Sequence, residues 1–226
     1  MTIDGDATLQ GGSAMDRWQQ VFVDITARRP SGWLGRLMYR RPVGHYGFFR
    51  AAIEQLQLQP EDVFLEVGCG GGILLDMALR TVQRACGIDH SPDMVELARE
   101  KNAPALSEGR AEIVQGDVRA LPWEENTFTC AAGIEMLWFV EDPVPALADL
   151  YRVLRPGGRL VFVTAAPPQT ALSRLFSAPW LRYLHFHPDD ELASMLTGAG
   201  FRAVQVQRID RSEHTSSAHQ VAYALV

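Results

Sequence analysis

The chain is predicted to fold as an α/β protein: a mostly parallel sheet with helices on both faces, ending in an antiparallel C-terminal hairpin. Three observations predict this. Short apolar runs alternate with helix-period segments from about residue 60 to residue 165. The runs carry little polarity on either face, as strands of a sheet covered on both sides do. The last two strand-like runs are separated by about eleven residues, too few for a helical crossover, so they should pair antiparallel.

Taken in order, residues 1–15 are acidic and glycine-rich and read as a disordered tail rather than a leader peptide. Residues 16–58 read as a helical cap in pieces, Trp18 to Ala27, Leu34 to Met38 and Phe48 to Leu58, broken at Pro30 and Pro42. Pro60 punctuates before a first strand, Val63 to Val67, and a glycine turn then leads into a helix from Ile73 to about Val82. Ala85 to Asp89 is a second strand. Ser91 is a natural N-cap, with Pro92 at the first position of a helix reaching Lys101. Glu112 to Gln115 and Phe128 to Gly133 are the third and fourth strands. Leu147, Leu150, Tyr151 and Leu154 give helical spacing over Val144 to Leu154; Arg155-Pro156-Gly157-Gly158 stops that helix, and Leu160 to Thr164 is the fifth strand. An insert follows over 165–187, then a helix from Pro188 to Thr197 and strands at Ala203 to Ile209 and Val221 to Val226. The organisation is thus one domain over 16–226, with its core at 59–164 and a C-terminal helix and hairpin at 188–226, a size that suits a single α/β unit.

Composition narrows the function. A net charge of −6 disfavours nucleic acid as the main partner, and no apolar run is long enough to span a bilayer. Cys69, Cys86 and Cys130 are odd in number and lack C-x-x-C spacing, which argues against disulfides and zinc and for a reducing cytoplasm. Arginine outnumbers lysine by 20 to 1, read as codon bias of a GC-rich bacterial genome. Arg28, Arg29, Arg36, Arg40 and Arg41 cluster around Trp33, Leu34, Leu37 and Met38, read as a lid helix with a solvated basic face or, alternatively, as an amphipathic helix that meets a membrane or an anionic substrate.

The most informative stretch is Phe64 to Gly72, which runs from a buried strand into a glycine turn. Such a turn lets backbone approach a ligand, and the following helix start offers N–H groups. A dinucleotide site of the form G-x-G-x-x-G would need glycine at position 73, where Ile73 stands. The spacing is instead E-x-G-x-G-x-G, and Glu66 would repel a pyrophosphate. Asp89 follows 23 positions later. The combination suits a ligand with an ammonium group and a ribose but no phosphates. Glu66 could alternatively cap the next helix.

Four segments, LEVGCGGG (65–72), GIDHSPDMVELA (87–98), GDVRALPW (116–123) and LYRVLRPGGRLVFV (150–163), stand in order on the expected element ends. In these the chain resembles the class I S-adenosylmethionine-dependent methyltransferases of the ubiquinone/menaquinone methyltransferase-like branch. The resemblance implies a Rossmann-like three-layer sandwich with a seven-stranded sheet. The implied cofactor is S-adenosylmethionine, with S-adenosylhomocysteine as product. By the resemblance, Asp89 takes both ribose hydroxyls, and Asp117 accepts from the adenine amino group with the Val118 N–H on the neighbouring ring nitrogen. His90 and Met94 pack on adenine and ribose. Gly68, Gly70 and the backbone around Gly133 and Ile134 hold the methionine end; Glu66 favours its ammonium. Cys69 belongs to the same turn and fills a small space under it. Thr129 departs from the acid usual after the phenylalanine of strand four, and Trp138 and Phe139 stand where many relatives have paired histidines.

A sulfonium methyl is already an activated electrophile, so the main task is placement, and a base is needed only when the acceptor must lose a proton. Candidates for such a base are His45, Tyr46, Glu135, His185 and His187. His185 and His187 have no evident third metal ligand, and no metal site is expected. The apolar insert (Leu172, Leu175, Phe176, Trp180, Leu181, Tyr183, Phe186) suggests a hydrophobic or aromatic small-molecule acceptor, or alternatively a cover for the sheet edge. No stable membrane insertion is expected; a homodimer is allowed. The alternative reading is a cofactor-binding protein of scaffold or cyclase type that transfers no methyl group.

Overall fold

The computed structural model describes residues 36–37, 39–40, 43–167, 184–209 and 219–226. The expected tail, the expected helix over 18–27, most of the one over 34–38, and most of the insert lie outside the described residues.

Seven strands form one sheet: β1 (Val63–Val67), β2 (Arg84–Asp89), β3 (Ala111–Gln115), β4 (Phe128–Ile134), β5 (Leu154–Ala165), β6 (Arg202–Ile209) and β7 (His219–Leu225). Their order is β3-β2-β1-β4-β5-β7-β6. The first five run parallel, and β7 is antiparallel to both β5 and β6. The predicted hairpin is present, and its second strand slots between β5 and β6. Because β7 runs backwards, its first residue, His219, pairs with Ala165, the last residue of β5. The start of β7 therefore lies at the same edge as the carboxyl ends of the parallel strands.

Helices cover both faces. On one, α1 (Tyr46–Leu56), α2 (Ile73–Ala78) and α3 (Pro92–Lys101) contribute Phe48, Leu56, Leu74, Leu75 and Val95, which pack with Phe64 and Val161. On the other, α5 (Val144–Val153) and α6 (Asp189–Gly198) bring Leu147, Leu150, Leu192 and Leu196 against Leu65, Phe128 and Phe162. Alternate residues of β1 thus enter opposite cores, and each such Leu or Phe stabilises the fold by about 1.5–3 kcal/mol. Between α3 and β3 lies a short helix, α4 (Ala103–Ser107), which the periodicity does not reveal. The order of the sheet reverses between β1 and β4, which makes the crevice above those two strands the expected ligand position.

Element ends differ in places. α1 starts and stops two residues early, because Gln57 adopts a left-handed conformation (φ 49°) and its N–H closes on the Ile53 carbonyl. Regular α2 ends at Ala78; bonds to carbonyls three residues back, Arg80 to Met77 and Thr81 to Ala78, tighten the chain beyond it. β5 begins at Leu154, because Gly157 donates to Val226 and Val226 donates back to Gly158, which draws the Pro-Gly-Gly stretch into the ladder. Thr129, the departure after Phe128, has a structural role at the opposite end of the strands. Its hydroxyl donates to Asp62 (2.6 Å) and accepts from the Val63 N–H (3.0 Å), and Arg159 holds the other Asp62 oxygen at 2.6 Å.

Candidate active site

At the tip of β1 the chain turns through Gly68, Gly70 and Gly72, all with positive φ (68°, 48° and 71°). A side chain at Gly72 would put its Cβ 2.6 Å from Asn102 Nδ2 and 2.9 Å from the Ala98 backbone. The turn is therefore folded against the start of α2 and the end of α3. Its amides are spent inside the protein. Gly68 and Cys69 donate to the Ile88 carbonyl, Gly72 donates to Cys69, and Gly70 donates to Asp89 Oδ2 at 2.9 Å. These four amides are therefore not available to cradle a phosphate.

Two carboxylates stand at this turn. Glu66 is buried, and its Oε2 accepts the Leu75 N–H at 3.1 Å, so it does cap the beginning of α2. Asp89 is also buried and accepts from both the Gly70 and Ser91 amides at 2.9 Å. Burial pushes the Glu66 carboxyl well above the ordinary range; the Leu75 N–H opposes this and the Asp89 charge adds to it. Burial likewise raises Asp89, against the pull of the Ser91 and Gly70 amides. Two desolvated acids that repel each other create a site that favours a cation and disfavours an anion. Cys69 is buried, its sulfur under the turn near Gly87, and burial drives its thiol well up, away from thiolate chemistry.

The other predicted contacts are arranged unevenly. The His90 ring is half-exposed, with Nδ1 3.6 Å from Asp89 Oδ1. Met94 is fully buried and presents no open surface. Asp117 follows the end of β3, its carboxylate gripped by the Arg119 guanidinium, which lowers its pKa. Val118 is partly buried beside the second core. Gly133 and Ile134 end β4, and a Cβ at Gly133 would meet the Phe162 ring at 2.6 Å and Val67 at 3.1 Å.

Beyond β4 the chain bends at Glu135, a non-glycine residue with φ 55°. Its N–H donates to Val163 and its carbonyl accepts the Trp138 indole N–H at 2.6 Å. The side chain turns inward, with Oε1 3.6 Å from His219 Nε2. His219 is buried under the Phe48 ring, centroid distance 4.2 Å. His45 lies edge-on to Phe48 and stacked on Phe49. Burial lowers its pKa, opposed by the Glu135 charge and assisted by His219. Tyr39 lies against Gly70, and its carbonyl would touch a Cβ at Gly71. Burial, with the charges of Asp89 and Glu135, raises its hydroxyl to about 12. Tyr39 therefore links the turn to the Glu135 cluster.

Of the predicted base candidates, His45 and Glu135 come together here, while Tyr46 is exposed. His185 donates its amide to the Trp138 carbonyl, and the His187 ring is held by Glu191 at 2.9 Å. Phe186 meets Trp138 edge-on at 5.6 Å. Among the described residues no three His, Cys, Asp or Glu side chains gather as a metal site. Two residues escaped the sequence reading. His219 needed the hairpin register, which places the first residue of β7 at the strand tips. Tyr39 sits inside the basic cluster; Arg36 and Arg40 beside it pair with Glu96 and Glu100 of α3, which holds this segment over the turn.

Comparison with known proteins agrees with this geometry. The model of a methyltransferase domain matches residues 65–162. A demethylmenaquinone methyltransferase of Lactiplantibacillus plantarum is 29% identical over 74% of this chain and 81% of its own length. An uncharacterized 37.1 kDa protein in transposon TN4556 of Streptomyces fradiae is 41% identical over 48% of this chain. The chain spans 32% of that transposon protein, and about half or less of several other curated relatives. Among solved structures, Haemonchus contortus phosphoethanolamine N-methyltransferase 2 in complex with S-adenosyl-L-methionine superposes with a TM-score of 0.73. It covers 92% of this chain and 59% of its own at 14% identity, a likeness of fold alone. Together with the E-x-G-x-G-x-G turn, the acid closing β2 and the strand order, these matches show that residues 65–162 carry an S-adenosylmethionine-dependent methyltransferase domain.

Proposed function

We propose that this protein transfers the methyl group of S-adenosylmethionine to a small, hydrophobic, aromatic acceptor of the phenol or quinol type. The observation that carries this reading is a juxtaposition at the strand tips. A buried, doubly acidic crevice whose amides are already paired suits a cationic, phosphate-free nucleoside. Around Glu135 stand two ring pairs, His45 with Phe48 and Trp138 with Phe186, and Tyr39 lies against the glycine turn; such rings suit a flat apolar acceptor. The Lactiplantibacillus relative, a demethylmenaquinone methyltransferase, supports an acceptor of this class.

In this reading Asp89 binds the ribose hydroxyls, keeping its two amide bonds and using its remaining lone pairs. Glu66 faces the ammonium end, and Gly68, Cys69 and Gly70 close on the methionine moiety with Gly133 and Ile134. His90 covers the ribose, and Asp117 takes the adenine amino group alongside Val118; Met94 contributes once its cover is displaced. Catalysis then rests on holding acceptor and methyl in line at about 3–3.5 Å, which supplies a large part of the barrier reduction. The buried free thiols Cys69, Cys86 and Cys130 fit a reducing cytoplasm. No helix among the described residues is long and apolar enough to cross a membrane.

The test is product analysis with isotopically labelled cofactor and an extract of small metabolites. S-adenosylhomocysteine formed in step with a methylated aromatic product supports the reading. Acceptor turnover with the cofactor intact would instead indicate the scaffold or cyclase alternative. Transfer only to protein or nucleic acid would refute the acceptor class.

A further inference from the structure

The cofactor side leaves one cluster of titratable groups without a role: Glu135, His219 and His45. Glu135 stands at the first position after β4, in a left-handed conformation (φ 55°) unusual for a residue with a side chain. The backbone that enforces it is tied down on both sides, by the Glu135 amide on Val163 and by the Trp138 indole on the Glu135 carbonyl. The effect is to turn a carboxylate inward at the strand tips. Its Oε1 is buried without a hydrogen bond among the described residues. A buried carboxylate oxygen without a donor costs on the order of 1–3 kcal/mol or more, so a ligand proton has reason to complete it. The groups facing it come from three other elements: His219 Nε2 at 3.6 Å from β7, His45 from the turn before α1, and Tyr39 from the N-terminal segment.

We propose that Glu135 is the general base of methyl transfer and that His219 is its positioning residue, for an acceptor that must give up a proton. The assignment rests on the phenol or quinol class proposed above. The Glu135 carboxylate takes the proton from the acceptor hydroxyl as the acceptor's oxygen, or the ring carbon conjugated to it, bonds to the methyl group. The carbon–sulfur bond breaks with its electron pair going to sulfur, which leaves neutral S-adenosylhomocysteine. When a ring carbon is the methylated atom, its hydrogen leaves as a second proton to water as the ring regains aromaticity. The proton on Glu135 is shared toward His219 until the product leaves. Tyr39 keeps its own proton throughout, with its hydroxyl raised to about 12, and serves as a donor rather than a second base.

The experiment measures methylation of menadiol, hydroquinone and catechol by the full chain, across pH, with S-adenosylhomocysteine affinity measured in parallel. For Glu135→Gln, kcat falls about 100-fold or more while S-adenosylhomocysteine affinity stays within about twofold. The deficit shrinks as pH approaches the acceptor's own ionisation, because a pre-ionised acceptor needs no base. His219→Gln gives a smaller loss with the same pH signature, which a packing role for the imidazole would not produce. If the wild type binds S-adenosylhomocysteine but methylates none of the three, the acceptor class is wrong and the assignment falls with it. If the wild type is active and Glu135→Gln keeps kcat within about threefold at every pH, the class stands and the base assignment is overturned. Should Glu135→Gln fail to bind S-adenosylhomocysteine, His219→Gln decides, and an unchanged pH profile there overturns the proposal.

Discussion

Replacing Glu66 by Gln should move stability and cofactor affinity in opposite directions. Gln keeps an oxygen for the Leu75 N–H, so the start of α2 remains capped. What it removes is a charge that the fold buries, raised well above its ordinary pKa by that burial. A carboxyl with a raised folded pKa leaves stability intact below its unfolded pKa, about 4.5, and costs stability as pH climbs through the folded value. The unliganded wild type therefore loses ground with rising pH, and Glu66→Gln does not. The melting-temperature advantage of the variant should be larger at pH 8 than at pH 5; each kcal/mol appears as roughly 2–4 °C in a domain of this size. Affinity should fall instead. A charge-assisted bond to the ammonium is worth about 1.5–3 kcal/mol, so the dissociation constant for S-adenosylhomocysteine should rise roughly ten- to a hundredfold by calorimetry. The wild type should also release protons on binding, seen as a dependence of the heat on buffer ionisation, because the arriving cation favours the carboxylate. A variant with unchanged affinity and an unchanged stability profile would show that Glu66 is a helix cap and nothing more.

Three further outcomes follow from the same geometry. Asp89→Asn should weaken cofactor binding by about ten- to a hundredfold, since one acceptor oxygen cannot serve the ribose and both the Gly70 and Ser91 amides; an unchanged calorimetric affinity removes Asp89 from the site. Gly72→Ala combines a left-handed backbone (φ 71°) with a Cβ 2.6 Å from Asn102 Nδ2. It should cost about 2–4 kcal/mol and lower the melting temperature by roughly 5–15 °C; a shift under a degree contradicts the packing argument. His45 is partly buried with a depressed pKa, so its contribution to stability is present above the unfolded value near 6.5 and lost as pH falls toward the folded one. Melts between pH 8 and pH 5 should lose less stability for His45→Gln than for the wild type, and parallel curves would refute it.

The glycine turn and its two carboxylates were legible in the sequence because they are built from local rules. A carboxylate at a strand end, a glycine wherever φ is positive, and a Ser-Pro helix start each leave their residue in the sequence, and Glu66, Gly68, Gly72, Asp89 and Ser91 all stand where expected. The state of the turn's amides was not legible, since whether Gly70 donates to a ligand or to Asp89 depends on atoms 19 residues away. The cluster around Glu135 depends on register and long-range packing. His219 reaches Glu135 only because β7 inserts between β5 and β6, and Tyr39 reaches Gly70 only because Arg36 and Arg40 dock on α3. Thr129 looked like a departure because its acid partner, Asp62, is supplied by the loop before β1.

The measurement that bears most directly on the central claim is a crystal structure of the protein with S-adenosylhomocysteine. Its ribose should lie on Asp89, its ammonium end at Glu66 and the glycine turn, and its sulfur should face the side of the crevice where Glu135 and His219 meet. A nucleoside bound away from the β1 and β2 tips, or one whose amino acid end points away from Glu66, would contradict it.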